Sequence, residues 1–178
     1  MYPVAHLVVA SGAAWSAERA VRRLFRSRAA AEGPQAAAAG SLFDYRLVAA
    51  GSWLPDAIDR PLAWLIIADH VEDDHLLAHT LVFGLVLAVP ALYLAWRGQS
   101  GLISLTAGVM AHRLCDPMWP EPHTVLWPFY GWTFQHSTTP YFAIYLLLEV
   151  LAGAALFVVV RRLWLRDRLW LLVFDAQI

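Results

Sequence analysis

Residues 141–160 form an apolar run broken only by Glu149, and Arg161, Arg162, Arg166 and Arg168 follow it. About 20 apolar residues are what an α-helix needs to cross the hydrocarbon core of a bilayer. Inside that core only helices and closed barrels satisfy their own backbone. The rest of the chain has the same character: 60% of its 178 residues are hydrophobic and 15% are charged, against roughly 25% charged in an ordinary soluble domain. This excludes disorder. A net charge of −1 excludes nucleic-acid binding built on bulk charge, and the single Cys115 excludes an internal disulfide. The length allows one membrane-embedded helical domain over residues 1–178.

Residues 81–96 and 102–115 are apolar and read as a helical hairpin joined through Arg97-Gly98-Gln99-Ser100-Gly101. Residues 2–15 and 42–55 are shorter and would cross only with tilt or with protein neighbours. Residues 61–67 read as an interfacial or re-entrant helix, and the Ala/Gly/Pro/Gln stretch near 29–40 as a mobile loop. The expected fold class is all-α, a polytopic membrane helical bundle of about five crossing or partly crossing segments with an interfacial helix. No basic residue precedes residues 2–15, so they read as a retained first helix rather than a signal peptide. The positive-inside rule places the Arg cluster 19–28, Arg97 and residues 161–168 on the cytoplasmic side. Every one of the 7 His then falls on the outer side, with Asp56, Asp59, Asp69, Glu72, Asp73, Asp74, Asp116 and Glu121. A His- and carboxylate-rich face opposite an Arg-rich one is what a metal site at one membrane surface needs.

His112-Arg113-Leu114-Cys115-Asp116 is the sharpest local signal. Residues four apart share a helical face, so the imidazole and the carboxylate can hold one ion; the alternative is a helix-end His with Asp116 as a cap. His75-Leu76-Leu77-Ala78-His79 repeats the spacing, and two His at i and i+4 are a common zinc pair, with a solvated His75 as the plainer reading. In Leu54-Pro55-Asp56-Ala57-Ile58-Asp59, Pro55 ends the apolar segment and fixes the depth of Asp56, which could equally be a helix N-cap. His6 gains weight from lying at the same predicted depth. Arg113 could contact a substrate phosphate or form a surface ion pair with Asp116 or Glu121. Glu149, an ionisable group inside a span, is a functional candidate, the blander account being a hydrogen bond to Tyr145 or to a neighbouring helix.

Gly51-x-x-Leu54-Pro55-Asp56, then His79-Thr80 opening a span, then His112-x-x-x-Asp116 followed by Leu126-Trp127-Pro128-Phe129, resembles the YdjM-like family of bacterial and archaeal inner-membrane proteins regarded as metal-dependent hydrolases. The resemblance covers most of the chain from His6 to about Trp132. The family's Leu-Pro-Asp-x-Asp is shifted, because the second acid here is Asp59. Of its His-Arg-x-x-Thr-His-Ser box only the second His remains, as His79, with Asp74 in place of the first. The family is in turn distantly similar to zinc-dependent phospholipase C and the fungal zinc nucleases. That similarity implies His112 as a ligand, Asp116 as a carboxylate bridging two metals, Asp56 and His79 completing one metal, and His6 helping to hold the second.

The resulting expectation is a membrane-bound hydrolase with two divalent ions, zinc by the chemistry of His and carboxylate ligands. Such ions lower the pKa of bound water from 15.7 towards about 7, and the hydroxide would cleave a phosphoester of a lipid or other membrane-surface substrate. Asp56, Asp116 and Arg113 are the expected catalytic residues. His6, Asp56, Asp59, His75, His79, His112 and Asp116 are the expected metal ligands. The competing class is a non-catalytic membrane scaffold whose acidic outer loops bind a partner. A divalent-ion carrier or sensor ranks last, because Glu149 is the one acid within a span.

Overall fold

The computed structural model describes residues 3–24, 41–66, 75–116, 122–132, 134 and 142–166. Among them the regular structure is helical and there is no strand. In chain order the helices are α1 (Pro3–Leu24), α2 (Tyr45–Pro61), α3 (Leu81–Trp96), α4 (Gly101–Cys115), the single turn α5 (Pro122–Val125) and α6 (Phe142–Trp164). A π-helical turn, Leu62–Ile66, continues α2, and a 3₁₀ turn, Leu77–His79, leads into α3.

Side-chain caps set two of the starts. Asp44 accepts from the Arg46 N–H ahead of α2, and the Thr80 hydroxyl accepts from the Phe83 N–H ahead of α3. Between α3 and α4 the chain reverses through Arg97–Ser100, with Gly98 at φ 81°, so the expected hairpin forms. The core is made of small and medium side chains, Ala10, Ala14, Tyr45, Val48 and Ala111, which lets backbones approach closely. The closest approach is between α2 and α4. A Cβ on Gly51 would meet the Leu105 carbonyl oxygen, and one on Gly108 would meet the Val48 carbonyl oxygen. Glycine at both positions is what allows the crossing.

Helix α6, over Ala143–Trp164, is long and apolar enough to cross a membrane, and it is the one such helix among the described residues. Few of its residues are buried within the molecule. The apolar α3 and α4 have 16 and 15 residues. At 1.5 Å per residue each is about 23 Å long, short of the roughly 30 Å core. The about five expected crossings are therefore matched in length and composition by α6 alone. On α3, Leu85, Val86, Val89 and Leu92 are each more than 60% exposed, a distribution that lipid accepts and water does not.

Three expectations are corrected. Pro55 does not end its segment: α2 runs through it to Pro61, so Asp56 is not an N-cap but a helical residue. The first segment does not end at residue 15: α1 continues through Arg19, Arg22 and Arg23 to Leu24. There Glu18 accepts from Arg22 and from the Ser41 and Tyr45 hydroxyls, which gives this polar stretch internal partners. Residues 61–67 are not a separate interfacial helix up to Ile66, since the π turn follows α2 without a break. The expected mobile loop near 29–40 lies outside the described residues, as do His70, Asp74, Glu121 and His136.

Candidate metal centre

His6 near the start of α1, Asp56 in the last turns of α2, His79 just before α3, and His112 with Asp116 at the end of α4 all meet. Successive helices therefore bring alternate ends to one level. One ligand atom from each of Asp56, His79, His112 and Asp116 lies within 4.8 Å of the other three. Nε2 of His79 and Nε2 of His112 face each other at 3.0 Å. Asp56 Oδ1 is 3.6 and 3.7 Å from them. Asp116 Oδ2 is 3.8 and 3.4 Å from the same two nitrogens.

The far side of each ring fixes where its proton sits. His112 Nδ1 is 2.7 Å from the Ser52 carbonyl oxygen, which can only accept, so Nδ1 carries the hydrogen. His79 Nδ1 is 2.7 Å from Asp59 Oδ2, again an acceptor. In the neutral rings both Nε2 atoms then present lone pairs to each other and to two carboxylates. Four acceptors converging in one largely buried cluster form a group that could hold a metal ion. His79, His112 and Asp116 are buried, and Asp56 is partly so. Burial lowers the pKa of His79, the charge-stabilising hydrogen bond to Asp59 opposing it, and the neighbouring His75 and His112 lower it further. The ring is thereby kept in its neutral, ligating form.

His6 is fully buried and stacks on His112 at 4.0 Å between ring centres. Its Nε2 lies 3.3 Å from Asp116 Oδ1, yet neither ring nitrogen has a partner in hydrogen-bonding geometry. A buried imidazole in that condition fits a metal ligand better than a packing residue. His75 Nε2 is 3.6 Å from Asp116 Oδ2, and its side chain is 25% exposed. The i, i+4 helical pairing of His75 with His79 is not how they meet. Residue 75 precedes the 3₁₀ turn, and the two rings touch edge-on at 4.6 Å between centres.

Asp59 stands behind His79. Its Oδ2 accepts from the Leu76 and His79 N–H groups as well as from Nδ1, and its Oδ1 accepts from the Ala78 N–H. Arg113 is buried against α3 at Gly84, with Nη1 lacking a hydrogen-bond partner. It is therefore not the surface ion pair that was one of its two expected roles. Two further groups escape the sequence reading. The Ser52 carbonyl is a backbone acceptor, invisible in any motif. Arg60, whose Nη2 lies 3.2 Å from Asp56 Oδ2, could have been found from its i, i+4 spacing.

A family model described as YdjM inner membrane protein matches residues 1–174. No curated protein and no solved structure matches the chain.

Proposed function

Because the chain belongs to the YdjM inner membrane protein family, we propose that it is a membrane-bound metal-dependent hydrolase. Its substrate is a phosphoester presented at the membrane surface, a lipid headgroup being the natural case. The observation that carries this reading is the tautomer geometry, in which the Nε2 atoms of His79 and His112 face each other at 3.0 Å, hydrogen-free in the neutral rings and beside two carboxylates. That donor set fits a divalent ion, and zinc suits its mixture of imidazole and carboxylate.

Asp56, His79, His112 and Asp116 hold one ion. His6 and His75, on either side of Asp116, would be the residues to hold a second. When bound, such ions supply Lewis-acid polarisation and water activation near neutral pH. The chain's own contribution is orientation. Asp59 locks the His79 tautomer, the Ser52 carbonyl locks that of His112, and Arg60 holds the Asp56 oxygen that faces away from the two imidazoles. Asp59 thus acts through His79 rather than as a ligand. On this reading the part-exposed His75 is on the side from which substrate enters. Buried His with paired Nδ1 atoms also favour this reading over a scaffold with incidental His. Two of the short apolar helices, α3 and α4, cross with tilt or local thinning of the bilayer, and the centre opens on the outer face.

Elemental analysis of the detergent-purified chain tests the proposal, alongside phosphodiester hydrolysis with vesicle lipids. About two ions per chain with metal-dependent turnover is the expected result. A chain that takes up no divalent ion at micromolar metal would overturn it.

A further inference from the structure

Glu149 has no part in the chemistry proposed above, yet it is the one charged side chain within the apolar stretch of the helix best suited to cross a membrane. Its two oxygens reach the first turn of α1. Oε1 accepts from the Val4 N–H at 2.9 Å and Oε2 from the Ala5 N–H at 2.8 Å. A helix leaves its first N–H groups without internal partners. In α1 the first residue is Pro3, which has no N–H to leave open. Val4 and Ala5 are two of the open donors of this turn, and one carboxylate takes both. Its charge also meets the positive end of the α1 dipole. From the α2 side, Trp53 Nε1 donates to the Pro3 carbonyl at 2.9 Å, so the turn is held at both its ends.

The next residue is His6, stacked on His112 and 3.3 Å from Asp116. Neither nitrogen of its ring has a hydrogen bond of its own. The position of that ring therefore depends on the backbone that carries it. We infer that Glu149 is a positioning residue. It caps α1 from α6, and by doing so fixes His6 against Asp116 and His112. The helix lying in the bilayer is thereby tied to the cluster, and detaching it would loosen one edge of the site. A proton- or ion-conducting role would need a carboxylate facing a path, whereas both oxygens of Glu149 are committed to backbone donors. The consequence for metal binding rests on the reading of the cluster as a metal centre; the consequence for His6 does not.

The full chain in detergent is compared with Glu149→Ala, Glu149→Gln and, as a control on the same helix, Leu148→Ala. Three quantities are followed: amide exchange at Val4 and Ala5, reactivity of His6 toward diethyl pyrocarbonate, and affinity for added zinc. In Glu149→Ala, exchange rises, His6 reacts several-fold faster, and zinc binding weakens by about tenfold or more, as when an outer partner of a ligand is lost. Glu149→Gln keeps one carbonyl acceptor and falls between, and Leu148→Ala leaves all three unchanged. Unchanged His6 reactivity and zinc affinity in Glu149→Ala would overturn the inference even if exchange accelerates. Should the Ala variant fail to fold, the Gln variant decides by the same two readouts. Should the wild-type chain bind no zinc, the metal reading fails by itself, and His6 reactivity alone decides the role of Glu149: faster supports it, unchanged removes it.

Discussion

Asp116 reaches His6 through Oδ1 and His75, His79 and His112 through Oδ2, so no other carboxylate among the described residues is tied to as many imidazoles of the site. Replacing it by Ala removes a charge that two ions would share. Metal content and activity should disappear together, and full metal retention in Asp116→Ala would take it out of the centre. His79 and His75 separate along the same logic. His79 is buried and held by Asp59 on its far side, whereas His75 is part exposed and lies 3.6 Å from Asp116. His79→Ala is expected to abolish metal-dependent hydrolysis, and His75→Ala to reduce it by less than about tenfold. Equal and complete loss in both would show that the two rings act as one clamp. Asp59 is graded differently. Asp59→Ala should weaken metal binding by roughly 10–100-fold. Asp59→Asn should be milder, since one carbonyl oxygen can still accept from Nδ1 while the Ala78 N–H loses its partner.

Helices decide whether these side chains can meet, and here the sequence was uneven as a guide. The hairpin of α3 and α4 was legible because Gly98 and its polar neighbours punctuate two apolar runs. His112 and Asp116 were legible because helical spacing alone puts them on one face. Pro55 misled, since a proline usually stops a helix, yet α2 continues through it to Pro61. The His75–His79 spacing misled about the local structure, because spacing cannot tell a helix from a 3₁₀ turn held by Asp59. The Gly51–Gly108 crossing could not be read at all, as a contact between distant small residues leaves no local period. That crossing brings the Ser52 carbonyl to His112. Gly108→Ala would press a methyl against the Val48 carbonyl, so α2 and α4 must part. A loss of about 1–3 kcal/mol of stability is expected, together with weaker metal binding, measured by unfolding midpoint and zinc titration. At the other end of α1 the Glu18 cluster contributes separately. Burial raises the Glu18 pKa, but Ser41, Arg22, the Leu42 N–H and Tyr45 outweigh it, leaving it below the ordinary 4.5. A depressed carboxyl stabilises the fold above its unfolded-state pKa, and that contribution is lost as pH falls through the folded-state one. Wild type should therefore lose more thermal stability than Glu18→Gln between about pH 6 and about pH 3, and equal losses would exclude the cluster.

At the scale of the whole molecule, the His-rich and Arg-rich ends of the helices lie opposite each other for a geometric reason. The start of α1, the end of α2, the start of α3 and the end of α4 meet at the cluster. Arg22 and Arg23 at the end of α1, Arg46 at the start of α2, and Arg97 after α3 therefore belong to the other end. Arg161 and Arg162 close α6. The positive-inside bias would retain the Arg-bearing end in the cytoplasm, and on the function proposed above the cluster would then face outward, toward a surface-presented phosphoester. The alternative orientation would place several guanidinium groups outside against the usual bias and turn the centre toward the cytoplasm. Single cysteines decide between the two. In a Cys115→Ser background, Glu121→Cys sits on the cluster's side of the sequence and Arg166→Cys follows the basic end of α6. A membrane-impermeant thiol reagent applied to intact cells is expected to modify position 121 and to reach position 166 only after lysis. Labelling of position 166 from outside would invert the orientation, and with it the side on which any substrate of this centre must be sought.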